Sequence, residues 1–151
     1  MEILFESPIY RICWHAPIYR ICWHDDQRQI LLLEIFQKWT WQDAYEGVTR
    51  SNNIAKAATH DICTILYFHD NVGMLPKGGS GIPTLRQLAA DDPPREKLVV
   101  IINQNALLEI FLSTVGKAYR LGHMASKYRY AKTLDEALQM VKHFQASGKT
   151  G

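Results

Sequence analysis

The chain reads as an α/β domain on a mixed β-sheet, with an antiparallel hairpin at its start, parallel strands after it and about four helices. Three observations lead there. Leu98 to Ile102 (LVVII) is apolar at every position, which marks a central strand covered on both faces. Helix-start signals recur between apolar runs, at Thr40-Trp41-Gln42-Asp43, Pro83-Thr84, Asn105 and Thr133-Leu134-Asp135-Glu136, so strands alternate with helices along most of the chain. Only at the beginning do two strand-like runs follow each other through a short polar connection, Asp25-Asp26-Gln27, which implies a hairpin.

The first element is duplicated. Pro-Ile-Tyr-Arg-Ile-Cys-Trp-His occupies Pro8 to His15 and again Pro17 to His24, identical and separated by Ala16 alone. Each copy has the makeup of a strand, with Ile, Tyr and Trp as strand formers and proline at the first residue, where a strand tolerates one. The second copy alternates Ile18, Arg20, Cys22 against Tyr19, Ile21, Trp23, the period of a half-buried strand. The offset between copies is odd, so one continuous strand through both would put Cys13 and Cys22 on opposite faces; a break at Ala16-Pro17 is expected. Residues 1–16 are then an extension carrying a spare first strand, 17–146 the domain and 147–151 a loose tail. The spare copy is expected to add to a sheet edge within a homodimer.

Gln29 to Gln37 (QILLLEIFQ) completes the hairpin. Thr40 to Asp43 is an N-cap with an acidic residue at the third helical position, opening a helix from Trp41 to about Ala58. Its apolar positions, among them Trp41, Tyr45, Val48 and Ile54, keep mostly to one face, and Gly47 weakens its middle. Ile62 to His69 (ICTILYFH) is the third strand, followed by a glycine-rich loop from Asp70 to Gly81. Pro83 suits a first helical position, with Thr84 to Ala90 as a short helix that Asp91-Asp92-Pro93-Pro94 stops. After Leu98 to Ile102, Asn105 caps a helix over Ala106 to Leu121, and Gly122 stands where a left-handed residue is wanted. Lys127 to Ala131 is the last strand, and Thr133 to Glu136 is a capping box for a final helix to about Ala146.

Composition narrows the function. At 47% hydrophobic and 21% charged residues the chain can bury an ordinary single-domain core. Its net charge of +2 comes from interspersed residues with no basic run longer than a pair, which argues against nucleic acid. Leu98 to Ile102 is far too short for membrane insertion, and the N-terminal residues lack the basic, apolar and small-residue zones of a secretion signal, so a cytoplasmic location is expected. The three cysteines, Cys13, Cys22 and Cys63, have no CxxC spacing; reduced, partly buried thiols are expected, with no zinc site or other metal and no cofactor.

Four stretches then look familiar together: Gln37-Lys38-Trp39-Thr40-Trp41-Gln42-Asp43-Ala44-Tyr45, Gly73-Met74-Leu75-Pro76 before a short helix, Leu98-Val99-Val100-Ile101-Ile102, and Thr133-Leu134-Asp135-Glu136-Ala137-Leu138. They resemble a bacterial group of small stand-alone STAS-like proteins, named for sulfate transporters and anti-sigma-factor antagonists, over about Ile18 to Phe144. The resemblance implies a non-enzymatic module that binds a protein partner, a kinase or an anti-sigma-like factor, and is switched by phosphorylation of a serine at a helix start. The serine in the matching loop is Ser80, in Lys77-Gly78-Gly79-Ser80-Gly81. The family pattern places Asp immediately before its serine; here Gly79 precedes Ser80 and Asp70 lies upstream, with Thr84 the nearest other hydroxyl. A phosphate near a helix N-terminus can meet free backbone amides or repel an acidic partner. The contact surface implied is the Asp70 to Thr84 segment, including Gly79, Ser80 and Gly81; a flexible Gly-Ser turn is the plain alternative.

The residues themselves offer little catalysis. The glycine-rich loop meets neither GxxxxGK[ST] nor GxGxxG. His69 and Asp70 are adjacent, so along a strand they point to opposite sides and form no acid/base pair without a turn between them. Cys63 reads as a core thiol. Trp23, Trp39, Trp41 and Tyr45 cluster where the hairpin meets the first helix; core packing is the ordinary reading, and a pocket carrying a lipid or other small apolar ligand is the alternative function.

Overall fold

Among the described residues seven strands join in one sheet whose spatial order is the order of the chain. The computed structural model describes residues 3–6, 12–15, 19–25, 27–36, 39–69, 83, 87, 90–91, 93–102 and 127–147. The strands are β1 (Ile3–Glu6), β2 (Ile12–His15), β3 (Tyr19–Trp23), β4 (Ile30–Ile35), β5 (Ile62–Phe68), β6 (Glu96–Ile102) and β7 (Tyr128–Ala131). The first four pair antiparallel, and β4 to β7 run parallel. The expected mixed sheet is therefore present.

The change from antiparallel to parallel follows from the connections. Between β3 and β4 the chain reverses within residues 24–29: the Asp25 carboxylate accepts from the backbone N–H of Gln29 and of Ile30, both at 2.9 Å, and Arg28 takes a left-handed φ of 56°. Between β4 and β5 comes α1 (Trp41–Lys56), long enough to carry the chain back to the start of the sheet. Thr40 starts it as expected, its hydroxyl accepting from Asp43 N at 3.1 Å while the Asp43 carboxylate accepts from Thr40 N at 2.8 Å. Ahead of the second helix, α2 (Leu134–Ser147), Thr133 likewise accepts from Glu136 N at 3.1 Å, while the Glu136 carboxylate accepts from Lys132 N at 2.9 Å.

Two helices, rather than about four, lie among the described residues. Pro83, Gln87 and Ala90 are helical, but the rest of the helix expected over Thr84 to Ala90, and the one expected over Ala106 to Leu121, lie outside the described residues.

Alternation along each strand sorts side chains onto two faces, and a helix covers each. Tyr19, Ile21, Leu31, Leu33, Ile35, Phe68, Val99 and Ile101 meet Trp39 and Trp41 at the start of α1. On the other face Ile30, Leu32, Cys63, Ile65, Leu98, Val100 and Ile102 meet Ala137 and Val141 of α2. That is why LVVII is apolar at every position and β4 (ILLLEI) at every position but Glu34: β4 and β6 are covered on both sides.

The spare octapeptide joins its own chain's sheet. β2, from the first copy, lies antiparallel to β3, from the second, and β1 pairs on its outer side, so β2 has neighbours along both edges and, among the described residues, β1 is the outermost strand at that end of the sheet. The register sets Cys13 opposite Cys22, Trp14 opposite Ile21 and His15 opposite Arg20. Cys22 is disulfide-bonded, while Cys63 is a buried free thiol. The expectation of three reduced cysteines is thereby corrected: folding one copy back on the other brings cysteines of opposed strands together, which CxxC spacing does not reveal.

Candidate functional site

The carboxyl ends of parallel strands are where open α/β sheets receive ligands, and one polar cluster stands there. Glu34 is the lone acid of an apolar strand. Its strand neighbours in register are Arg20 on β3 and Tyr67 on β5. Two residues beyond Tyr67, and so on the same side of the sheet, is His69. Both Glu34 oxygens are engaged: Oε2 accepts from Arg20 Nη2 at 2.6 Å and Nε at 3.1 Å, and Oε1 lies 2.9 Å from His69 Nε2. The side chain of Glu34 is only 8% exposed, against 33% for Arg20 and 28% for His69. A buried carboxylate is thus held by two partly exposed nitrogen groups, as burial of such a group demands.

Rings fix these partners. The His69 imidazole stacks on Tyr67 with centroids 3.9 Å apart and an interplanar angle of 17°, and Phe36 approaches it at 5.0 Å. The Arg20 guanidinium lies 5.2 Å from the Phe36 centroid, a cation–π distance. His69 also donates its backbone N–H to Ile35 O at 3.0 Å, which ties the end of β5 to the end of β4. A carboxylate-held imidazole can orient a polar group or accept a proton; no nucleophile stands within this cluster among the described residues.

A second polar cluster sits at the opposite end of β6. Glu96 and Lys127 form a buried ion pair at 2.9 Å, and Thr64 donates to the other Glu96 oxygen at 2.5 Å. All three acceptor and donor groups answer one another within the sheet, which suits strand anchoring. Cys63, beside it, has its thiol pushed up to about 12, chiefly by burial and then by the charges of Glu96, Asp61 and Asp25. It is a poor nucleophile.

The expected aromatic group divides. Trp39 and Trp41 are buried and touch edge to face, with centroids 5.3 Å apart; Phe68 meets Trp39 at 5.2 Å, and Trp23 packs against the same cluster. Tyr45 instead borders an open depression of about 360 Å³ with Thr49, Asn53, Gln87, Ala90 and Asp91, whose lining is polar and apolar in about equal parts. On its rim, Asp91 pairs with Lys56 and accepts from Asn52, which hold its carboxyl below the usual range.

Asp70, Gly79, Ser80, Gly81 and Thr84 lie outside the described residues. Of the expected surface, the strand end that leads into Asp70 is described, and the Arg20–Glu34–His69 cluster occupies it. Spacing along the chain does not single out Arg20 or Glu34. The signal for them is an acid in a strand covered on both faces, since such an acid needs a basic partner on a neighbouring strand at the same face. Among the described residues no three His, Cys, Asp or Glu side chains are grouped to hold a metal ion, and no helix is long and apolar enough to cross a membrane. In comparisons with known proteins, no family model, no curated protein and no solved structure matches the chain.

Proposed function

We propose that this chain is a STAS-like regulatory module that acts by binding another protein, without turnover. Its contact surface is the sheet end where β4 and β5 terminate, together with the Asp70 to Thr84 segment that continues from His69. The observation that supports this reading is the Arg20–Glu34–His69 cluster. Two nitrogen-bearing side chains are locked to one buried carboxylate and to the rings of Tyr67 and Phe36, yet each keeps about a third of its surface in water. Polar groups already fixed lose little freedom when a partner arrives, which favours recognition. A phosphate on Ser80 would add negative charge to the segment that begins next to this cluster, and such a charge changes which partner surface is complementary.

The test is intact-mass measurement with peptide mapping on protein isolated from growing cells, for the natural chain and for Ser80→Ala. One phosphate on Ser80 that vanishes in the variant is the expected result. An unmodified Ser80 removes the switch, and a reaction abolished by His69→Ala, or a lipid retained in place of phosphate, removes the reading altogether.

A further inference from the structure

Two identical strands compete for one place in the sheet. We propose that either can fill it: the slot beside β4, held by Tyr19–Trp23, also accepts Tyr10 to Trp14 of the first copy, and the disulfide at Cys22 is the latch that keeps the second copy in place. The inference is independent of the proposed partner binding.

Identity makes the exchange stereochemically neutral within the slot. Each side chain that β3 gives the sheet recurs nine residues earlier, with Tyr10 for Tyr19, Arg11 for Arg20, Ile12 for Ile21, Cys13 for Cys22 and Trp14 for Trp23. Alternation inside each copy is the same, so the inward set stays inward. β4 and α1 would meet unchanged partners: a tyrosine hydroxyl for Glu46, which Tyr19 reaches at 3.2 Å, a guanidinium for Glu34, and an isoleucine for the core now filled by Ile21.

What differs lies outside the slot. With the second copy in place the connection to β4 is residues 24–29; with the first it is residues 15–29. Loop closure alone disfavours the longer connection about fourfold. The exchange also gives up the Asp25 bonds to Gln29 and Ile30 and the β2–β3 ladder. These terms explain why the second copy holds the slot and make the other arrangement a minor state.

The latch follows from the register. Cys22 is disulfide-bonded, and the residue facing it is Cys13. A bond across β2 and β3 fixes both strands, so neither can shift by nine residues while it lasts. A dithiol opens it by exchange: the protein disulfide becomes two thiols as the dithiol closes its own disulfide, two electrons and two protons passing to the protein. Reduction would then turn Tyr19 to Trp23 from a strand into part of a long connection, altering what the sheet edge displays.

The experiment uses the full chain in dithiothreitol and three variants: Ile21→Asp, Ile12→Asp and both together. Ile21 is 1% exposed, so an aspartate there is incompatible with the slot. Exchange predicts that Ile21→Asp melts cooperatively as a monomer, because Ile12 takes the buried position, while the double variant loses its cooperative transition. Ile21→Asp as unfolded as the double variant, a double variant as well folded as Ile21→Asp, or a folded Ile21→Asp found only as a dimer would each overturn the proposal.

A covalent trap gives a second reading. Leu32 faces Cys22 in the β3–β4 register. In Ile21→Asp carrying also Leu32→Cys and Cys63→Ser, oxidised glutathione should join the introduced thiol to Cys13. In the unexchanged sheet Cys13 is two strands from position 32, roughly 10 Å, beyond disulfide reach. A bond to Cys22 instead would overturn the exchange.

Discussion

Removing the anion from the Arg20–Glu34–His69 cluster should cost less than removing a cation. In Glu34→Leu, Arg20 and His69 lose their partner but already have about a third of their surface in water, so they rehydrate with little movement. The leucine adds apolar area beside Tyr67, and the net cost is about 0–1 kcal/mol. In Arg20→Leu, Glu34 stays buried and loses two of its three hydrogen bonds, keeping the one to His69. Charge-assisted bonds are worth about 1.5–3 kcal/mol, and the exposure of the guanidinium puts this loss toward the lower end, about 2 kcal/mol. For a chain of this size that is a fall of about 4–8 °C in Tm. Urea unfolding and thermal melting at pH 7, in non-reducing buffer, read both quantities; the disulfide at Cys22 then keeps Arg11 from replacing Arg20. Arg20→Leu with Glu34→Leu should be about 1 kcal/mol more stable than Arg20→Leu alone, because no buried carboxylate remains. A Glu34→Leu loss equal to that of Arg20→Leu, or no recovery in the double variant, would refute the reasoning that the buried anion sets the energetics.

Two further outcomes follow from the packing. Gly47→Ala should raise stability by about 1 kcal/mol, and Tm by about 2–4 °C, since alanine is the better helix former and the added methyl would lie 3.6 Å from the Tyr19 ring, an ordinary contact; a lower Tm in a melting scan would show that the ring requires the bare glycine. On the alkaline side, burial and then the charge of Glu46 push the Tyr19 hydroxyl up to about 12, and burial with nearby acids pushes the Cys63 thiol to the same value. The unfolded chain releases these protons first, at about 9 for the thiol and about 10 for the phenol, so their stabilisation is full below those values and falls as pH rises to about 12. Urea midpoints measured from pH 8 to 12 should decline, with Cys63→Ala abolishing the part that begins near 9; a flat profile would contradict both shifts.

Strands and helix starts are legible in the chain because their causes are local. Thr40 and Asp43 satisfy each other across three residues, and LVVII needs no partner to be recognised as doubly covered. The polar cluster is the reverse case. Glu34 is bonded to residues on β3 and just past β5, so no window along the chain contains the site. Adjacency in sequence sets His69 beside Asp70, whereas the imidazole meets the acid one strand over. Parity would have found it: given β4 and β5 parallel with Glu34 beside Tyr67, His69 follows on the same face.

The duplicated octapeptide shows the same dependence on pairing, and there the arithmetic is restrictive. In a continuous strand, positions nine apart fall on opposite faces; in a hairpin, what matters is which residues oppose each other. The observed ladder pairs residues whose numbers sum to 35, as in Cys13 with Cys22, Trp14 with Ile21 and His15 with Arg20. Equivalent positions of the two copies differ by nine, so only one equivalent pair can satisfy that sum, and it is the cysteine pair. A shift of the ladder by a single residue would leave no equivalent pair opposed. The register that joins the copies is therefore the one that sets their single covalent-bonding residue face to face, and the disulfide at Cys22 makes that register the ordinary resting state of two otherwise interchangeable strands.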